Sequence, residues 1–219
     1  MQESNVVFID IETKPDRNLI EVFNKNIKAN PRLTDPKKIK ADIKKKKEDS
    51  IKAMSLDHDF SEVFCVGLKP LGGEAGVLTF PEFVGWLNEE IPIKEARGHA
   101  RARWNVTRFV GFNSKNFDFP ILIKSAMKAG IEDFPYSHFS SLCEKYYKGS
   151  GHIDLMEKMS YVWNGAKSLD KYIQIYLGIA KEEIDFATCT DDELREHCKN
   201  DIIQTELIFQ FWNKHLNLI

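Results

Sequence analysis

Residues 5–13, NVVFIDIET, restrict the fold more than any other segment. A short, β-branched apolar run of this kind reads as a buried strand, and it opens the fold. The run ends in acids, Asp10 and Glu12, two residues apart. Side chains at that spacing leave the same face of a strand roughly 7 Å apart, so the pair can share or bracket a cation. A metal site can start in this way.

Composition narrows the classes of function. The 219 residues are 42% apolar and 29% charged, enough to bury a core, and residues 1–219 are expected to form a single domain. No stretch approaches the ~20 apolar residues of a membrane-spanning helix. The start, with acids at Glu3 and Asp10 and no basic lead into an apolar run, does not look like a secretory signal, so a cytoplasmic protein is expected. Cys65, Cys143, Cys189 and Cys198 show no C-x-x-C spacing and are expected to be reduced thiols. Lys+Arg 31 against Asp+Glu 33 gives a net charge of -2, so attraction to a polyanion must come from local patches. Two patches stand out. Eight lysines against three acids lie between Lys37 and Lys52, and Arg97, Arg101, Arg103 and Arg108 surround Trp104.

The order of elements follows from local signals. A short helix is expected around Leu19–Phe23. Asp35 caps, and Pro36 opens, a lysine-rich helical insertion at about 34–56, with Ile39, Ile43, Ile51, Ala53 and Met54 on one side. Residues 63–70 and 77–80 read as strands joined by a glycine-rich turn, and Pro81–Glu90 reads as a helix. RFVGFN is a strand. FDFPILIKSAMKAG is a helix closed by Gly130, residues 131–151 read as loop, and HIDLMEKM reads as a strand running into a helix. Ser168 caps a helix ending at Gly178, and residues 190–193 open a long final helix through Phe211. Together these predict an α/β fold, a mixed sheet flanked by helices.

Two further segments extend the acidic pair. In GFNSKNFDFPIL, Asp118 stands where a strand and loop turn into a helix; in REHCKNDIIQTELIF, His197 and Asp201 share a helix face at i and i+4. FIDIET, then N-x-x-x-F-D, then x-x-x-D after His197 resembles the three motifs of the DEDD exonuclease superfamily. The likeness is greatest to the 3′-to-5′ exonuclease domain of family B DNA polymerases and to stand-alone bacterial or phage relatives. HIDL and SLDKYIQIYLGI also resemble the stretch between the second and third motifs. The resemblance covers residues 5–14 and 60–212 and implies a ribonuclease H-like fold.

Residue by residue, the resemblance places metal ligands at Asp10, Glu12, Asp118 and Asp201, for two ions of Mg²⁺ or Mn²⁺, which prefer oxygen donors. One ion would be held by Asp10 and Asp201 and activate a water; the other would stabilise the departing 3′ oxygen, with Glu12 and Asp118 completing coordination. Polymerase-type members place Tyr four residues before the last Asp, and a second branch places His five before it. This chain has His197 at the tyrosine spacing, where it either orients the attacking water or accepts its proton. Thr13, Asn113 and Phe117 are candidate substrate contacts, Phe117 by stacking on a base or as a plain core aromatic. Asp154 reads as a supporting or helix-capping acid rather than a ligand. The lysine-rich helix either tracks a phosphate backbone or is a solvated face.

The implied activity is hydrolysis of DNA from the 3′ end, single-stranded ends foremost, releasing nucleoside 5′-monophosphates. RNA as substrate, and a catalytically weak nucleic-acid-binding or polymerase-accessory module of the same fold, are the alternatives.

Overall fold

The computed structural model describes residues 6–25, 27–90, 108–144, 151–160, 165–180, 186 and 188–216. Arg97, Arg101, Arg103 and Trp104 lie outside the described residues, and Arg108 begins a strand.

The acidic strand is the middle of the molecule. Strand β1 (Val6–Pro15) pairs antiparallel with β2 (Ser61–Pro70) and parallel with β4 (Arg108–Gly111). Strand β3 (Gly76–Leu78) adds to β2, and β5 (His152–Asp154) pairs parallel with β4, giving a five-stranded mixed sheet of order β3-β2-β1-β4-β5. Burial on both faces explains why Val6 to Ile9 form an unbroken apolar run.

Alternation along β1 divides the core in two. Val7, Ile9 and Ile11 pack with residues of α3 (Phe80–Glu90), α4 (Asp118–Lys128) and α5 (Tyr136–Cys143). Val6 and Phe8 face the other way, toward residues of α6 (Leu155–Met159), α7 (Leu169–Leu177) and α8 (Asp191–Leu216). Helix α5 corrects the expectation of loop across 131–151. The segment YSHFSSLC has no side-chain cap, and its place comes from tertiary contact: Phe139 meets the rings of Phe83, Phe109, Phe119 and Phe134.

Helix α8 lies on β1 and β2. A bare backbone at Gly67 permits this, because a Cβ there would collide with the Ile202 side chain and come within 2.9 Å of Cys198 Sγ. Near the far end of β2, the buried pair Lys69–Glu206 (3.0 Å) and the amide of Gly72, donating to Glu206 at 3.0 Å, fasten the β2–β3 turn to the same helix.

The expected lysine-rich helix forms. A single 3₁₀ turn (Arg17–Leu19) leads into α1 (Ile20–Asn24), and α2 (Pro36–Met54) follows with Asp35 as its N-cap and Pro36 in the first turn. The stripe that docks differs from the expected one. Ile39, Asp42, Ile43, Lys46 and Ser50 are half-buried and Met54 is buried, whereas Ile51 and Ala53 are exposed. The partner is the polar connection after α1: Asp42 accepts from the amide of Asn30, Lys46 donates to the Lys28 carbonyl, and the Ser50 hydroxyl donates to Asn24.

Candidate active site

At the carboxyl end of β1 the even-numbered side chains turn toward α8. Glu12, His197 and Asp201 converge there, with one ligand atom from each lying within 4.8 Å of the others. His197 Nε2 stands 3.8 Å from Glu12 Oε1 and 3.7 Å from Asp201 Oδ2, and the three side chains are only 10–17% exposed. The i to i+4 spacing read from the sequence thus sets His197 above Asp201 on one flank of α8. Phe186 closes over the imidazole edge-on, with ring centroids 5.1 Å apart.

Asp118 and Asp10 contribute no atom to that set among the described residues. Asp118 begins α4 and is buried, and it reaches the same strand from the opposite side of the sheet. Its Oδ1 accepts from the amide of Ile11 at 3.1 Å. Strand β4 pairs with β1 only as far as Phe8, and the Asp118 carboxylate serves the backbone beyond that point. Burial pushes this carboxyl up to about 8, against the pull of the amide donors. Asp10 sits opposite Gly67, beneath α8, with its carbonyl 3.9 Å from the Cys198 thiol. That thiol is pushed well above its ordinary value by its hydrogen bond with Cys65 and by burial. Among the described residues no disulfide is present, as expected for reduced thiols.

The turn that delivers Asp118 is held from β5. Asp154 accepts from the amides of Asn113 (3.1 Å), Lys115 (3.0 Å) and Glu157 (3.2 Å), so it caps α6 and braces the β4–α4 turn together. Asn113 adopts φ of 60°, a left-handed conformation that asparagine tolerates, and it is the sole non-glycine residue in that region among those described. Ser114 Oγ meets His152 Nε2 at 2.8 Å inside the core, where burial holds the imidazole down at about 3 and therefore neutral. Phe117 is half-buried, 6.2 Å from the His58 ring. Thr13 is committed elsewhere, its hydroxyl donating to the Ser55 carbonyl at 2.5 Å.

One group escaped the sequence reading. The β1–β2 register shifts between Glu12–Cys65 and Thr13–Val63, so Phe64 is an extra residue, a β-bulge. The bulge turns the Phe64 ring to the α8 side, where Lys14 Nζ lies 3.7 Å from its centroid and Arg195 Cζ 5.0 Å. Lys14 is also paired with Asp191 at 2.5 Å. Alternation predicts Lys14 on the same face as Asp10 and Glu12, but no local signal marks the bulge.

The donor chemistry fits divalent cations. Two carboxylates and one imidazole make up the converging set, donors that divalent metal ions accept.

An antiparallel β1–β2 pair joined to parallel strands β4 and β5, with helices on both faces, is the ribonuclease H-like class of α/β fold. The structure of the family B DNA polymerase from the hyperthermophilic archaeon Pyrobaculum calidifontis is similar, with a TM-score of 0.52 at 16% identity, over 96% of this chain. The likeness is one of fold, and the chain spans 24% of that polymerase. A search of curated proteins finds no match. Residues 99–216, more than half of the chain, match the family described as "Predicted 3'-5' exonuclease related to the exonuclease domain of PolB", and the chain belongs to that family.

Proposed function

We propose that this protein is a divalent-metal-dependent 3′-to-5′ exonuclease that removes nucleoside 5′-monophosphates from single-stranded DNA ends, with residues 1–219 as one catalytic unit. The observation that carries the proposal is the Glu12–His197–Asp201 cluster at the end of β1, in a chain of an exonuclease family. Asp10, Glu12, Asp118 and Asp201 are the metal ligands of this reading; Glu12 and Asp201 meet in the cluster, whereas Asp118, bonded to the Ile11 amide and raised to about 8 by burial, would have to lose its proton to a bound cation. Two Mg²⁺ or Mn²⁺ ions held by these residues would supply a water of lowered pKa and charge neutralisation at the leaving oxygen.

The chain's own groups do the rest. His197 Nε2, held between two carboxylates, orients the attacking water and accepts its proton, and Glu12 and Asp201 stabilise the imidazolium that results. Phe117, half-buried at the start of α4 and packed on one side against the core, would stack on the terminal base with what remains exposed of its ring, while Asn113 holds the turn before it. Thr13 acts through position, fixing the chain after Glu12 by its bond to Ser55.

The test uses 5′-labelled and 3′-labelled single-stranded DNA, with matched RNA, in Mg²⁺, Mn²⁺ or EDTA, resolved on a sequencing gel. The expected result is a metal-dependent ladder that shortens DNA from its 3′ end. Digestion of RNA alone makes the protein an exoribonuclease. Binding without digestion of either polymer overturns the catalytic reading in favour of an accessory module.

A further inference from the structure

Helix α2 has 19 residues and buries only Met54. A helix that gives so little to the core needs another reason for its length, because packing of an apolar face is what stabilises most helices in proteins. Its charge is costly as well. Lys37, Lys40, Lys44 and Lys47 follow one another at i+3 or i+4, where like charges repel. Seven of its eight lysines, all but Lys46, are exposed, and Lys25, Lys28 and Arg32 add exposed cations on the connection packed beside it. Of the exposed seven, Lys44 alone forms an ion pair with a described residue, Glu48 at 3.7 Å.

The helix is also rooted at the site. The Ser55 carbonyl, just past its C-terminus, accepts from Thr13, the residue after Glu12, and His58 lies against Phe117 beside Asp118. A row of cations therefore leads away from the carboxylate end of β1. At 1.5 Å per residue, α2 is about 28 Å long, roughly the span of eight stacked nucleotides at about 3.4 Å each.

We propose that α2 is a sequence-independent guide for the nucleic-acid strand, gripping phosphates upstream of the 3′ end so that long substrates bind more tightly than short ones. This rests on the exonuclease reading above. It adds a substrate-length preference set by the helix, with affinity from the guide and chemistry from the β1–α8 cluster.

The experiment compares a trinucleotide with a 20-nucleotide DNA, measuring kcat, KM and the salt dependence of KM. In the variant Lys40→Gln, Lys44→Gln, Lys45→Gln, Lys47→Gln and Lys52→Gln, kcat and KM for the trinucleotide stay at wild-type values. KM for the long strand rises about tenfold or more, and the slope against log salt flattens by about 0.7 for each lysine that touches phosphate. Asp49→Lys on the same exposed helix acts in the opposite sense, lowering KM for the long strand only. It provides an independent reading should the neutralised variant fail to fold. Unchanged KM and salt slope in both variants overturn the guide while leaving the nuclease intact. A wild type that cuts neither substrate overturns the exonuclease reading instead.

Discussion

The two longest helices among the described residues, α8 with 26 residues and α2 with 19, use length for opposite ends. Helix α8 buries Leu194, Cys198, Ile202, Ile208 and Phe209 against the sheet, and it is fastened again through Lys69 and Glu206. Its two site residues ride on a flank that cannot turn without disturbing that packing. Helix α2 keeps one buried residue at its C-terminal end and docks elsewhere through the half-buried Ile39 and Ile43 and a few polar contacts. On the functions proposed above, the site that would position atoms sits where packing over-determines the backbone, and the surface that would meet a long polyanion is left in solvent.

The largest expected break in this contrast is chemical. Asp201→Ala should lower kcat by roughly 10³-fold, since the site then loses a ligand for the ions that supply several kcal/mol of transition-state stabilisation. The circular dichroism spectrum should be retained, and Mn²⁺ affinity, followed by electron paramagnetic resonance, should fall in parallel. Full activity with unchanged Mn²⁺ binding would remove Asp201 from the ligand set. No single lysine-to-alanine change on α2 should approach that effect on a short strand.

Packing gives the next effect. Gly67→Ala drives a methyl group into Ile202 and Cys198, and such overpacking costs about 1–3 kcal/mol. A lower urea midpoint is expected, together with a reduced kcat, because the helix that must move carries His197 and Asp201. Gly85 on α3 is the control. Nothing lies within 4 Å of a Cβ there, so Gly85→Ala should be neutral or stabilise by about 0.5–1 kcal/mol. Equal midpoints for the two variants would show that α8 has room to shift, and the proposed rigidity of the site would be wrong.

What the sequence made legible follows the same division. The β1 strand, the N-caps Asp35 and Ser168, and the left-handed stop at Gly178 all rest on local chemistry, and all stand in the structure. The i to i+4 pairing of His197 with Asp201 is likewise local, and it brings the two together. Other features depend on partners distant in sequence. Helix α5 owes its place to an aromatic cluster drawn from four other segments, and the Phe64 bulge exists only relative to β1. The docking stripe of α2 holds at Ile39, Ile43 and Met54 and departs at Ile51 and Ala53, which are exposed, while Asp42, Lys46 and Ser50 bond to segments distant in sequence that no periodicity reveals. Asp118 is the intermediate case. The sequence places it at the helix start, but its bond to the Ile11 amide depends on where β4 stops pairing with β1.

The smallest expected effect lies on α2 and distinguishes a guide from a structural helix. Lys44→Ala removes the exposed pair with Glu48, which stabilises by about 0.3–0.5 kcal/mol at best. It also relieves repulsion from Lys40 and Lys47, which is of similar size. The two changes oppose each other, so unfolding free energy should shift by less than about 0.5 kcal/mol, in either direction. Both are Coulombic between exposed groups, so the residual should shrink as salt rises from 0.01 to about 1 M and the Debye length falls toward about 3 Å. Urea titrations at both salt concentrations measure this directly. A loss of about 2 kcal/mol that persists in high salt would mean that the Lys44 stem packs against the body of the protein. In that case the helix would be held by burial like α8, and the difference between the two helices would be one of degree.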